Sequence, residues 1–324
     1  MTATRRRALR IAVLLGVGAL LTAFGRTVDW RATSLVVRSA NPVLLLSALL
    51  LNLVSLGLKG VRWWVFLRPL GTVPLALVLR ATFAGASLNN LVVAQGGEGA
   101  RVLLVSRSAG ISSAGVLAAL ALERALDLVS YLILLVSAAW LLELPAHVTR
   151  WRTAAGAVLM LAVLLLVALG AAVPRAAPAA AASSTSRSGF GGRLTAYLRR
   201  VRSDVALVGS PARLAAGMLL SLAAWSLQVA TYHLVARAAH LPLPLAGSVA
   251  AMLAIGISFL VRATPGNVGV FQVIYALTVR PFGIAEGAAV AAALLIQTVQ
   301  VVPTVVLGTL LAHRLLGGTL SRSA

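Results

Sequence analysis

Seven acids occur in 324 residues, and three of them sit beside cations in two short clusters. Glu123, Arg124 and Asp127 form the first. Positions four apart share a helix face, so both carboxylates point the same way. The second is Gln95-Gly96-Gly97-Glu98-Gly99-Ala100-Arg101. Its glycines allow a backbone to approach a ligand closely, Arg101 offers a two-pronged fork for phosphate, and Glu98 can hold that arginine or bind an amine. The same segment also reads as a plain loop with glycines capping helices. A third cluster, Arg262-Ala263-Thr264-Pro265-Gly266-Asn267-Val268-Gly269-Val270-Phe271-Gln272, is either a hinge or a backbone-lined pocket. Metal and cofactor chemistry finds no support: there is no HExxH, Walker loop, aspartate-rich diphosphate motif or nucleophile elbow. The absence of cysteine excludes thiolate sites and disulfides. No cofactor and no catalytic activity are expected.

The elements that must position these residues are apolar. The chain is 60% hydrophobic and 11% charged, with a mean hydropathy of +0.97, whereas a soluble domain is about a quarter charged. Uncharged stretches run over 39–58, 153–174, 214–236, 238–261 and 287–313, each near or above the roughly 20 residues that cross a hydrocarbon core. They lack the alternation of barrel strands, so the fold class is an all-α polytopic transmembrane bundle in a single membrane domain, with about eight spans. Helices are expected at about 8–25, 42–66, 73–94, 112–142, 152–173, 213–237, 244–262, 268–280 and 285–313. Glu123 then stands about 16 Å along its helix, near mid-bilayer, where a charge costs at least roughly 2.5 kcal/mol and is nearly always paired or faces a cavity. Arg80, Arg101 and Arg262 are the expected counter-charges.

The net charge of +21 comes from 28 cations, of which Lys59 is the sole lysine, placed mainly at span ends and in one linker. That distribution follows the positive-inside rule and excludes a nucleic-acid partner. The basic linker 174–212 belongs in the cytoplasm, as does the start of the chain, where Arg5, Arg6 and Arg7 precede an uncleaved first helix. Five full crossings would leave the linker on the wrong side, so one early segment must fail to cross. Segment 73–94 is the candidate, because it carries Arg80 and breaks at Asn89-Asn90. Irregular backbone at membrane depth survives only where it is protein-buried or lines a wet cavity. The break after Arg262 in the second half makes a pair, which hints at a transporter-like internal repeat. Residue-level identity between the halves is not evident. Trp63, Trp64, Trp140 and Trp151 read as interfacial anchors, and His233 as part of a packing stripe.

Asn89-Asn90 with the Gln95–Arg101 loop, then Glu123-Arg124…Asp127, then Pro265-Gly266-Asn267-Val268-Gly269-Val270, resemble one family over about residues 9–313. It is the transmembrane region of the lysylphosphatidylglycerol synthases, a flippase-like membrane family. The resemblance implies interrupted helices that move, or hold for transfer, a polar or charged lipid between leaflets. The synthases also carry a cytosolic aminoacyl-transfer domain, to which nothing in these 324 residues corresponds, so lipid aminoacylation is not expected. Gln272 stands where many members have an acid.

The leading expectation is a lipid-translocating protein of a bacterial plasma membrane, its partners anionic or phosphate-bearing lipids. Arg80, Arg101 and Arg262 would contact phosphate, Glu98, Glu123 and Asp127 would balance charge, and Asn89, Asn90, Gly96, Gly97, Arg124, Pro265, Gly266, Asn267, Gly269 and Gln272 would shape the cavity. One alternative is a polyprenyl-phosphate-dependent glycosyltransferase using Asp29, the lone acid of an early outward loop. Another is a non-catalytic assembly partner for a cell-envelope enzyme.

Overall fold

The computed structural model describes residues 26, 28–91, 96–141, 153–154, 156–161, 208–258 and 267–320. Every regular element among them is helical: α1 Trp30–Ser39, α2 Pro42–Leu67, α3 Leu75–Leu91, α4 Gly96–Ala109, α5 Ser113–Leu141, α6 Pro211–Ala238, α7 Leu245–Ser258, α8 Val270–Val279 and α9 Glu286–Leu320. The expected helix at about 8–25, most of that at about 152–173 and the linker up to residue 207 lie outside the described residues.

Local sequence explains where the long helices start. Asn41 accepts hydrogen bonds from Val43 N at 2.9 Å and Leu44 N at 3.2 Å, and Pro42 follows as the first helical residue, a favoured N-terminal pairing. Ser210-Pro211 opens α6 with a proline in the first turn. The helices are inside-out relative to a soluble bundle. On α2 the exposed residues include Val43, Leu46, Leu50 and Val54, while Ala48, Asn52, Ser55 and Arg62 are buried. An apolar outer stripe over a polar inner one fits lipid outside and polar contacts between helices. Among the described residues three helices are long and apolar enough to cross a membrane: Pro42–Leu70, Pro211–Ala238 and Glu286–Leu311. They correspond to three of the expected spans.

Helices α2 and α6 run antiparallel. Asn41 N donates to Ala238 O at 2.9 Å, Thr231 Oγ1 to Ala48 O at 3.4 Å, and Ser55 Oγ to Ala224 O at 2.8 Å. These contacts recur every seventh residue along both helices, the repeat that keeps one face of each helix in register with its neighbour.

The pair fixes two ends for the bundle. At the first end His240 meets Ser39 O at 3.1 Å, Thr33 Oγ1 donates to Gly287 O at 3.1 Å, and Phe282 packs near Gly247. The starts of α2, α7 and α9 and the ends of α6 and α8 therefore gather there. At the second end Gly71 packs against Ile111, Gly115 against Leu70, and Val208 joins Val73, Ile111 and Leu214 in one apolar cluster.

Two helical hairpins follow from this. The outer ends of α3 and α4 meet at the second end of the bundle, and those of α7 and α8 meet at the first. The segment expected as one interrupted helix at 73–94 is thus only the first arm of a hairpin. Its second arm, α4, takes up residues expected as a loop. Helices were also expected to cross at 244–262 and 268–280. Over their described residues α7 and α8 reach about 21 and 15 Å, against a core about 30 Å thick, and residues 259–262 of the first expected span lie outside the described residues.

The turn from α3 into α4 is held by Asn89, whose Oδ1 accepts from Gly97 N at 2.9 Å. The two helices cross where neither has a side chain in the way, since a methyl at Gly97 would strike the Gly85 carbonyl and the Asn89 amide. Gly96 and Gly97 therefore lie in the first turn of α4, where Gly97 serves helix packing, rather than in an open loop.

A candidate polar cavity beside a buried ion network

Six charged side chains converge from α2, α4 and α5. Arg62 Nη2 lies 3.2 Å from Glu123 Oε1, and Arg62 Nη1 lies 2.6 Å from Asp127 Oδ1. Arg101 Nη2 reaches Glu123 Oε2 at 3.1 Å. Arg124 pairs with Glu98 and, at 3.6 Å, with Asp127. Arg62 also donates to Ser221 Oγ of α6, and Trp225 Nε1 donates to Asp127 Oδ1 at 3.1 Å. The Arg101 guanidinium stacks 4.1 Å from the centre of the Trp63 ring. Arg62 and Glu123 are 1% and 4% exposed, so their charges depend on one another. Such groups tolerate an apolar setting only when each finds its counter-charge and hydrogen bonds. Here three arginines face three carboxylates.

Next to this network lies a cavity of about 230 Å³. Asn52, Ser55 and Lys59 of α2, Asn90 of α3 and Gln228 of α6 supply polar walls, with Gln300 of α9. Asn90 stands near the inner end of the first hairpin. Ile255 and Gly256, which also line the cavity, stand near the inner end of the second. Lys59 Nζ sits 4.4 Å above the centre of the Trp225 ring, a cation–π arrangement. Trp225 thus connects the two features: its indole N–H is bound to Asp127, and its face carries Lys59. Tyr131 Oη donates to the carbonyl of Met252 at 3.1 Å and to that of Leu253, and its ring packs edge-on to Trp225 at 5.1 Å. This ties α5 to the cavity wall formed by α7.

The residues singled out in the sequence separate into groups. Glu98, Arg101, Glu123, Arg124 and Asp127 come together in the ion network. Asn90 alone among them lines the cavity, and Asn89, Gly96 and Gly97 hold the α3–α4 turn. Asn267 is buried in a left-handed conformation at φ 59°, and Gly269 at φ 85° starts α8. Gln272 accepts from Gly269 N at 2.6 Å and donates to Gln297 Oε1 at 2.6 Å, so a neutral amide bridge links α8 to α9. Arg80 lies half-buried on α3 and makes no ion pair to any acid among the described residues. It is therefore not a counter-charge for Glu123 or Asp127. Arg262, Pro265 and Gly266 lie outside the described residues. Asp29 is engaged as the N-cap of α1, accepting from Ala32 N at 2.9 Å.

Sequence reasoning missed Arg62, the counter-charge of both Glu123 and Asp127, along with Lys59, Ser221 and Trp225. A signal was present in the apolar stretch 42–67, which carries Lys59 and Arg62 three positions apart and hence on one face.

No curated protein matches the chain. A family model described as "Lysylphosphatidylglycerol synthase TM region" matches residues 8–308. The long apolar helices and their outward apolar stripes agree with that description, and the family is a transmembrane region rather than a catalytic domain. The chain belongs to the lysylphosphatidylglycerol synthase TM region family and is a helical membrane protein.

Proposed function

We propose that the protein takes up the polar headgroup of a phosphate-bearing lipid in the cavity between its two hairpins and passes that lipid between the leaflets of a bacterial plasma membrane. The observation that carries this reading is the cavity itself. It is walled by asparagine, glutamine, serine and lysine inside helices whose outer faces are apolar. A polar group in a hydrocarbon setting is retained where it lines a pathway or pairs with another, and the ion network already accounts for the pairing. A volume of 230 Å³ has room for many water molecules, which suits a headgroup and leaves acyl chains outside.

Hairpins that enter from opposite ends and approach one another near the middle are a transporter arrangement. If α3–α4 is re-entrant from the cytoplasmic side and α7–α8 from the outer side, the chain crosses six times. The N-terminus, the linker 174–212 and the C-terminus are then cytoplasmic, in agreement with the arginine bias. The phosphate contact assigned from sequence to Arg80, Arg101 and Arg262 passes in this proposal to the cavity lining, because Arg101 is neutralised by Glu123.

Leaflet exchange of a fluorescent phosphatidylglycerol in reconstituted vesicles tests the reading. Ala86 lines the cavity, so Ala86→Phe should fill it and slow exchange at least about tenfold, whereas Ala86→Ser should leave the rate unchanged. Equal rates in both variants and the parent, with helical circular dichroism retained, would overturn the proposal.

A further inference from the structure

We infer that the cavity selects headgroups by the sign of their charge, taking an anionic phosphate group through Lys59 and rejecting a cationic one. This rests on the reading of the cavity as a headgroup site and names the class of lipid it takes. Among the described residues lining the cavity, Lys59 is the one charged side chain and none is a carboxylate. The six charges next door close on themselves as three arginines against three acids. Lys59 is therefore left as a surplus cation, and it enters no ion pair among the described residues.

Its neighbours fit the same assignment. The Trp225 ring beneath the ammonium at 4.4 Å fixes its position without neutralising it. Trp225 is in turn held by the 3.1 Å hydrogen bond to Asp127. The amides of Asn52, Asn90, Gln228 and Gln300 can donate to phosphate oxygens or meet the hydroxyls of a polyol. A headgroup ending in an ammonium would meet a like charge in a setting of low dielectric, where repulsion is strong, with no acid in the described cavity lining to accept it. The structure thus points to an acidic lipid such as phosphatidylglycerol, and away from its aminoacylated, cationic derivatives.

Native mass spectrometry of the detergent-purified protein tests this with three lipids of equal chain length: phosphatidylglycerol, phosphatidylcholine and lysyl-phosphatidylglycerol. The parent should retain phosphatidylglycerol about tenfold over each of the others, the scale of one charge-assisted hydrogen bond. Lys59→Gln should abolish that preference, Lys59→Arg should keep most of it, and Lys59→Glu should favour the lysyl lipid. Arg38→Gln removes the same unit of charge from an exposed site on α1 and should change nothing, which separates the cavity from general attraction to the basic surface.

A phosphatidylglycerol preference that survives Lys59→Gln would overturn the inference. If Ala86→Phe nevertheless blocked retention, the headgroup cavity would stand and only its charge selectivity would fall. Retention untouched by Ala86→Phe would instead sink the cavity reading. Glycerol 3-phosphate gives the last arm. Failure of the soluble anion to compete at millimolar concentration supports a lipid as the source. Competition as strong as that of the lipid would keep the anion site and overturn the lipid assignment.

Discussion

Arg62 is the residue on which the polar interior depends. Its guanidinium contacts Glu123 and Asp127 through Nη2, and Asp127 and Ser221 through Nη1. Removing one member of a buried ion pair costs about 3–5 kcal/mol, because the remaining charge is stranded. Glu123→Gln strands Arg101 and weakens Arg62, and it is expected to destabilise the protein by about 3 kcal/mol in a detergent-solubilised unfolding titration. Arg124→Gln should cost under about 1 kcal/mol, since that side chain is 51% exposed. Similar losses for both variants would mean that the network does not act as a buried unit. The acids of this network were recognisable from sequence because their spacing and apolar surroundings are local properties. Arg62 was not, because it lies 65 residues from Asp127 and 159 from Ser221, and no periodicity links positions so far apart.

At the scale of elements, the glycines around Glu98 change meaning once α3 and α4 are placed side by side. Gly97 faces the backbone of Gly85, whereas nothing lies within 4 Å of the position a Cβ would take at Gly99. Gly97→Val should force the helices apart and cost at least about 1–3 kcal/mol, the usual penalty of overpacking. Gly99→Ala should be neutral or stabilise by up to about 1 kcal/mol through helix propensity. Thermal unfolding of the two variants in the same detergent checks the contrast, and comparable melting temperatures would show that the crossing is not tight. In sequence the two positions are indistinguishable, both glycines flanking one acid, because only the path of α3 decides which of them is crowded. The break expected at Asn89-Asn90 is not at those residues, since both are still helical and α3 runs to Leu91, but the Asn89 side chain does hold the start of α4. Amides at the end of an apolar run mark a turn, although the helix that follows carries too little periodic pattern to announce itself.

For the whole molecule, the two hairpins reconcile the charge distribution with the helix lengths. In the proposed topology α1 lies on the outer side and the linker on the cytoplasmic side. Because the chain has no cysteine, single substitutions report sidedness cleanly. Ser34→Cys, exposed on α1, should react with a membrane-impermeant maleimide from outside intact cells, and Ser186→Cys only after permeabilisation. Labelling of both positions from the same side would refute the six-crossing arrangement.

What the amino-acid sequence determined by itself was the medium and the class. A chain with long uncharged stretches and arginines at their borders must satisfy its backbone within helices in lipid, whatever its tertiary packing. The three long spans, the parity conflict and the cost of Glu123 follow from that one-dimensional pattern. Tertiary structure decided which cation meets which acid, and which polar groups remain for a cavity. It also decided that the described helices α7 and α8 pack side by side with their outer ends together. These outcomes depend on the seven-residue register between α2 and α6 and on backbone contacts between distant helices. Lys59 shows the difference: in the sequence it is one basic residue near a span end, and in the fold it is the cation that the ion network leaves over.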